Sequence, residues 1–139
     1  MAIWIFRCYD PSTPSRGGFH EWYDVLPPAI AAEVDQALNV LSREKKWGLP
    51  EYKDLDGKCS GLGEIRIDIA QASDDPEKEL PPLCFRILGF EGPEKRQFTL
   101  LVGFQKITGS EYSVECPKAL QRKKGVLKDG SRAPQCYFP

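Results

Sequence analysis

The sequence predicts an α+β fold: an N-terminal strand, one or two helices, a three-stranded antiparallel meander and a C-terminal helix, with the helices on one face of the sheet. Three observations carry this. Ile30, Val34, Leu38 and Leu41 follow Pro27-Pro28 at spacings of four, four and three, the period of one helical face. Ile65, Ile67 and Ile69 alternate with Glu64, Arg66 and Asp68, the period of a strand. Two further runs, Leu83 to Glu91 and Arg96 to Lys106, are apolar almost throughout and meet at the turn residues Glu91-Gly92-Pro93-Glu94.

Ala2 to Tyr9 is dominated by β-branched and aromatic residues and reads as the first strand. Asp10 to Gly18, with two prolines, two glycines and three Ser/Thr, is a loop. His20 to Leu26 fits a short helix. Pro27-Pro28 then opens a longer one, because proline in the first turn forfeits no hydrogen bond. That helix is expected to end near Trp47-Gly48, where Gly48 suits a left-handed terminal residue and Pro50 cannot continue. Leu49 to Gly63 reads as a connecting loop, Gly63 to Ala70 as a strand and Gln71 to Pro82 as a charged turn. The two apolar runs that follow belong inside a sheet rather than at its edge. Ser110 to Lys124 holds a short helix whose start Pro117 limits to that residue. Gly125 to Pro139 has no periodicity. The expected organisation is therefore one domain over 1–126 and a tail over 127–139.

The net charge of −1 alone argues against a nucleic-acid binder, but its distribution does not. From Lys95 to Arg132 nine Lys/Arg face three Asp/Glu, whereas the residues before Lys95 carry ten Lys/Arg and seventeen Asp/Glu. A basic segment on an acidic body is either solvated surface or the footprint of a polyanionic partner. The five cysteines, Cys8, Cys59, Cys84, Cys116 and Cys136, are odd in number and widely spaced, with no C-x-x-C pair. They read as free thiols in a reducing compartment, with no metal site. No apolar run approaches the about 20 residues of a membrane helix, and the N-terminal stretch is too short for a secretory signal, so the expected location is cytoplasmic.

Several segments together resemble a known family. Leu26-Pro27-Pro28 leads the amphipathic helix; Lys53-Asp54-Leu55-Asp56-Gly57 and Gly61-Leu62-Gly63-Glu64-Ile65-Arg66-Ile67 follow; then come Phe85-Arg86-Ile87-Leu88 and Leu101-Val102-Gly103-Phe104-Gln105-Lys106. In that order, over about Trp22 to Lys124, they resemble the HigB-like (phage-derived Gp49-like) branch of the RelE/ParE toxin superfamily. The resemblance implies a RelE-like fold and the toxin of a type II toxin-antitoxin system. It implies a ribosome-dependent messenger-RNA endonuclease that needs no metal or cofactor and leaves 2′,3′-cyclic phosphate ends. Its implied partners are a cognate antitoxin, commonly a helix-turn-helix protein, and the ribosome with its message.

Such a reaction needs a proton acceptor for the ribose 2′-hydroxyl, cations for the developing charge and a proton donor for the leaving oxygen. Arg66, on the polar side of its strand, and Arg86, the lone charge in an apolar strand, match the family's basic positions. Lys106, closing the last strand, matches a third, although Ile107 stands where a second lysine is frequent. Tyr112 suits a proton donor or a base-stacking residue. The plain alternatives are a surface ion pair for Arg66, a structural pair with Glu64 for Arg86, an edge guard for Lys106 and helix packing for Tyr112. Lys53 and Lys58 in the loop, and Lys118, Arg122, Lys123 and Lys124 on the last helix, are the candidate RNA contacts; otherwise they are solvated lysines and a helix end. His20, the single histidine, matches no motif position, so acid-base work falls to Lys, Tyr, Glu64 or no residue at all. Two other readings share the scaffold: a non-enzymatic inhibitor of DNA gyrase of the ParE kind, and a family member that only binds an antitoxin-like partner.

Overall fold

The computed structural model of the chain describes residues 2–11 and 17–138. Most of the loop expected from Asp10 to Gly18, and the last residue of the expected tail, lie outside the described residues. Five strands, β1 (Ile5–Cys8), β2 (Tyr52–Asp54), β3 (Gly63–Ile69), β4 (Leu83–Glu91) and β5 (Gln97–Lys106), form one sheet in the order β1-β5-β4-β3-β2. Three helices accompany it: α1 (Phe19–Tyr23), α2 (Pro28–Ser42) and α3 (Tyr112–Lys128).

This corrects the expected fold class. The sheet is not a three-stranded antiparallel meander but five-stranded and mixed, since β1 runs parallel to β5 while the other pairs are antiparallel. The parallel pair joins Ile5 to Gln97 and Cys8 to Leu100, partners that no local pattern connects. β2 is three residues long, with two of them exposed, and offered no alternation to read. The helices also occupy both faces. α1 and α2 cover a core containing Phe19, Val34, Leu38, Ile65, Ile87 and Phe98. α3 covers a second core containing Leu88, Leu101, Val102, Phe104, Cys116 and Ala119. β4 and β5 are apolar on both sides because each side faces a helix.

α2 ends at Ser42, before Gly48 is reached, because its last carbonyls are taken. The Trp47 indole donates to the Leu41 carbonyl (2.8 Å), and the Ile3 and Trp4 amides donate to the Ser42 carbonyl (2.6 and 2.9 Å). These bonds satisfy acceptors that a helix end leaves orphaned. α3 begins five residues before Pro117 rather than at it, and so accepts one missing amide donor within the helix. At Gly103 any side chain would collide with the Trp22 ring, so glycine there lets α1 lie directly on β5.

Two further differences concern the C-terminus and the cysteines. The stretch from 127 begins inside α3 and then packs on β1, with Ala133 buried and the Cys8 amide donating to the Pro134 carbonyl (3.0 Å). Cys8–Cys136 and Cys59–Cys116 are disulfides with Cα–Cα distances of 5.7 and 5.3 Å, so the expectation of five free thiols is replaced by one, Cys84. Wide spacing hid both pairs, because β1 meets the C-terminus and α3 meets the 57–59 turn only in the fold.

Candidate functional site

β3 and β4 set a charged cluster by register. Arg66 lies directly opposite Arg86, and such partners point to the same face. Two like charges there are unfavourable unless acids intervene. Glu64 and Asp68 occupy the two diagonal positions, two residues either side of Arg66 on β3. The Arg86 Nη1 donates to Asp68 Oδ1 (2.7 Å) and to its neighbour's carbonyl at Phe85 (2.8 Å), and Arg86 Nε stands 3.6 Å from Glu64 Oε1. The quartet of alternating acids and arginines is thus locally neutral.

α3 and β5 complete it. The Tyr112 hydroxyl donates to Glu64 Oε1, and the Tyr112 ring packs edge-on against Phe104, with centroids 5.3 Å apart. Lys106 places its ammonium 5.8 Å from the centre of the same ring. Lys53, on the edge strand β2, is the cross-strand partner of Glu64 and shares its face. All four residues expected to be catalytic, Arg66, Arg86, Lys106 and Tyr112, therefore meet at one end of one sheet face.

They differ in what they can touch. Arg86 is 2% exposed and Glu64 3%, so neither reaches a ligand without movement of α3. Arg86 is held within the protein: it forms the ion pair with Glu64 and a closer one with Asp68. Arg66, Lys106 and Tyr112 are half-buried, and Asp68 is exposed. The Arg66 Nε is buried and has no hydrogen-bond partner among the described residues. The Arg86 Nε is in the same position, so two buried guanidinium donors of the quartet have no hydrogen-bond partner among the described residues.

The electrostatics follow the packing. Burial raises the Tyr112 pKa, and its bond to the Glu64 carboxylate raises it further, so the hydroxyl keeps its proton through neutral pH. Burial alone would raise Asp68, but the Arg86 guanidinium outweighs it and holds the carboxyl below its usual value. Cys84 lies at the same end; burial and Asp68 push its thiol up, away from the reactive thiolate.

The expected RNA contacts scatter. Lys53 alone joins the cluster. Lys58 is exposed on the 57–59 turn, and Lys124 is exposed on α3. Lys118 pairs with Glu115 (3.0 Å). Arg122 donates to the Leu101 carbonyl (2.8 Å) and lies over the Tyr9 ring, where burial lowers its pKa. Lys123 donates to the Gly61 carbonyl (2.7 Å) at the other end of α3. His20 sits beside Asp24 on α1, stacked on Phe138, and is no part of the cluster. Sequence reasoning named Glu64 as a possible base or partner and Asp68 only as a neighbour that could pair with Arg66. The signal was present in the Glu64-Arg66-Asp68 alternation, but it became readable only once Arg86 was known to stand opposite.

Comparison with protein-family models, curated proteins and solved structures finds no match to this chain. Among the described residues no helix is long and apolar enough to cross a membrane.

Proposed function

We propose that the chain is a messenger-RNA endonuclease, the toxin of a toxin-antitoxin pair, acting at the Arg66–Lys106–Tyr112 cluster. The observation that carries this reading is the convergence of these three half-buried side chains at one end of one sheet face. Arg66 and Lys106 take the phosphate oxygens and the charge that develops on them. The 2′-hydroxyl attacks the adjacent phosphorus; Asp68, the accessible carboxylate, accepts its proton, and Tyr112 protonates the departing 5′-oxygen. One P–O bond forms as another breaks, leaving a 2′,3′-cyclic phosphate and a 5′-hydroxyl. Arg86 and Glu64 hold Tyr112 and Asp68 in place. Asp68, held by Arg86, is a weak base, which favours a slow intrinsic reaction and help from a pre-positioned substrate on the ribosome. The site of action is cytoplasmic, and a helix-turn-helix antitoxin is the partner proposed to restrain it.

The burial of Glu64 and Arg86 favours a second reading, a non-enzymatic binder whose polar cluster only fixes α3 on the sheet. A cleavage assay separates the two. Purified protein is incubated with end-labelled message on translating ribosomes, and the fragment ends are analysed. Fragments ending in 2′,3′-cyclic phosphate, lost with Tyr112→Phe, support the nuclease. Uncut message, or fragments with 3′-hydroxyl ends, rejects it.

A further inference from the structure

At the end of the sheet away from Tyr112, a cleft of about 790 Å3 opens between the start of β3, the β4–β5 turn and the segment after α2. Ligand clefts run about 300–1,000 Å3, so this one has room for a small ligand or a short stretch of a longer one. Its aromatic wall is formed by the half-buried rings of Trp47 and Tyr52, 5.3 Å apart and steeply inclined. Lys45, Lys46, Lys95, Arg96 and Lys123 edge it. Two carboxylates stand against these five cations, and one of them, Asp54, already accepts from the Tyr52 hydroxyl (2.9 Å). In a chain of net charge −1, that local excess is a feature of this place.

The cleft is built rather than incidental. Arg96 has φ +61°, the one non-glycine residue in the left-handed region among the described residues. Such backbone is uncommon for arginine and gathers where surrounding structure holds a side chain in place. Its guanidinium lies 5.3 Å from the Trp4 ring centre and donates to the Lys45 carbonyl (2.8 Å). The Trp4 indole donates to the Glu44 carbonyl (2.8 Å). These contacts fix the 44–46 backbone, which carries Lys45 and Lys46, at the rim.

We propose that this cleft binds single-stranded RNA, with a base against the Trp47–Tyr52 wall and the adjoining phosphates on Lys95, Arg96 and Lys123. Aromatic faces beside a basic track are the general means of holding a single strand without sequence preference. Trp47 and Tyr52 pack inward on Trp4 and Phe98, and an acidic peptide would satisfy the cations but make no use of the aromatic surface that these two rings leave facing the cleft. The proposal rests on RNA being the substrate, and it gives the message a second hold. Tyr112 and Lys123 are eleven positions apart on α3, about three turns, which puts them on the same side of the helix roughly 16 Å apart. One marks the charged cluster on the α3 face and the other the edge of the cleft, whose Trp47–Tyr52 wall belongs to the α1–α2 face, so an engaged strand passes around the end of the sheet from this anchor toward the cleaved bond.

The test is a tryptophan-fluorescence titration of the full chain with a short oligouridylate and, separately, a glutamate-rich peptide, at low and high salt. The wild type is expected to bind the RNA, more weakly as salt rises. The pair Lys95→Gln and Arg96→Asn, with asparagine chosen because it accepts the left-handed backbone, is expected to weaken binding at least about tenfold. Lys45→Gln with Lys46→Gln repeats the test without touching the turn. Unchanged RNA binding in both cation pairs, or peptide binding as tight as RNA binding, overturns the proposal. RNA bound through the cleft but never cut rejects the nuclease and leaves this site standing; RNA cut with the cleft variants binding normally does the reverse.

Discussion

Arg86 and Tyr112 touch the same carboxylate network but should respond differently to substitution. Arg86 is enclosed, and removing it leaves the buried Glu64 without its ion-pair partner. Breaking a buried pair from one side costs about 3–5 kcal/mol. Arg86→Ala should therefore unfold at markedly lower denaturant, and its loss of activity would report folding rather than chemistry. Tyr112→Phe removes one hydroxyl from a half-buried ring that keeps its contact with Phe104. Denaturant melts should place it within about 1–2 kcal/mol of wild type, while cleavage should fall at least about 100-fold, the usual worth of a positioned proton donor. A variant that melts normally and cleaves normally would remove Tyr112 from the mechanism.

At the scale of elements, α3 is held at its start by Glu111. The carboxylate accepts the amides of Ile107 (3.0 Å), Thr108 (3.2 Å) and Gly109 (2.8 Å). Its own amide, followed by those three, lowers its pKa from 4.5 to about 2. A depressed folded-state value means that the contribution is complete above the unfolded-state pKa of 4.5 and disappears as pH falls toward 2. Amide exchange at the start of α3 should accelerate across that window, and Glu111→Gln should be less protected at neutral pH and flatter below it. Unchanged exchange would show that the 107–109 turn stands without the carboxylate. On the opposite face, Gly103→Ala should overpack Trp22 and cost about 1–3 kcal/mol in a chemical melt, with α1 the first element to lose protection.

These elements also mark the limits of the sequence. The β3 alternation, the two apolar strands and the α2 face were legible because each signal lies within a few residues. Burial on both sides of β5 was visible, but not that β1 would be its parallel neighbour, because Phe6 and Phe98 meet across most of the chain. For the site, Arg86 was conspicuous as a lone charge, yet its carboxylate partners depend on a cross-strand diagonal. The far cleft left even less trace, since Trp47, Lys95 and Lys123 come from three separated segments.

Across the whole molecule, the two disulfides join ends that the sheet brings together, closing loops with sequence separations of 128 and 57. Loops of that length correspond to about 4–5 kcal/mol each in chain entropy, and deleting a native bridge commonly costs about 2–5 kcal/mol. Denatured, unreduced protein should therefore titrate with one free thiol, Cys84, and Cys8→Ser with Cys136→Ser should lower the melting temperature; five free thiols would refute the pairing. The cytosol keeps thiols reduced. Action on messenger RNA there thus requires that the two cores fold without these bridges, which a cooperative melt under reductant would demonstrate.

The most direct test of the nuclease is controlled expression in bacteria, with primer-extension mapping of a reporter message beside the Tyr112→Phe form. Growth arrest with cuts inside the translated message, absent in the variant, is the expected result. Arrest with intact messages, or cuts that persist in Tyr112→Phe, would rule the proposed nuclease out.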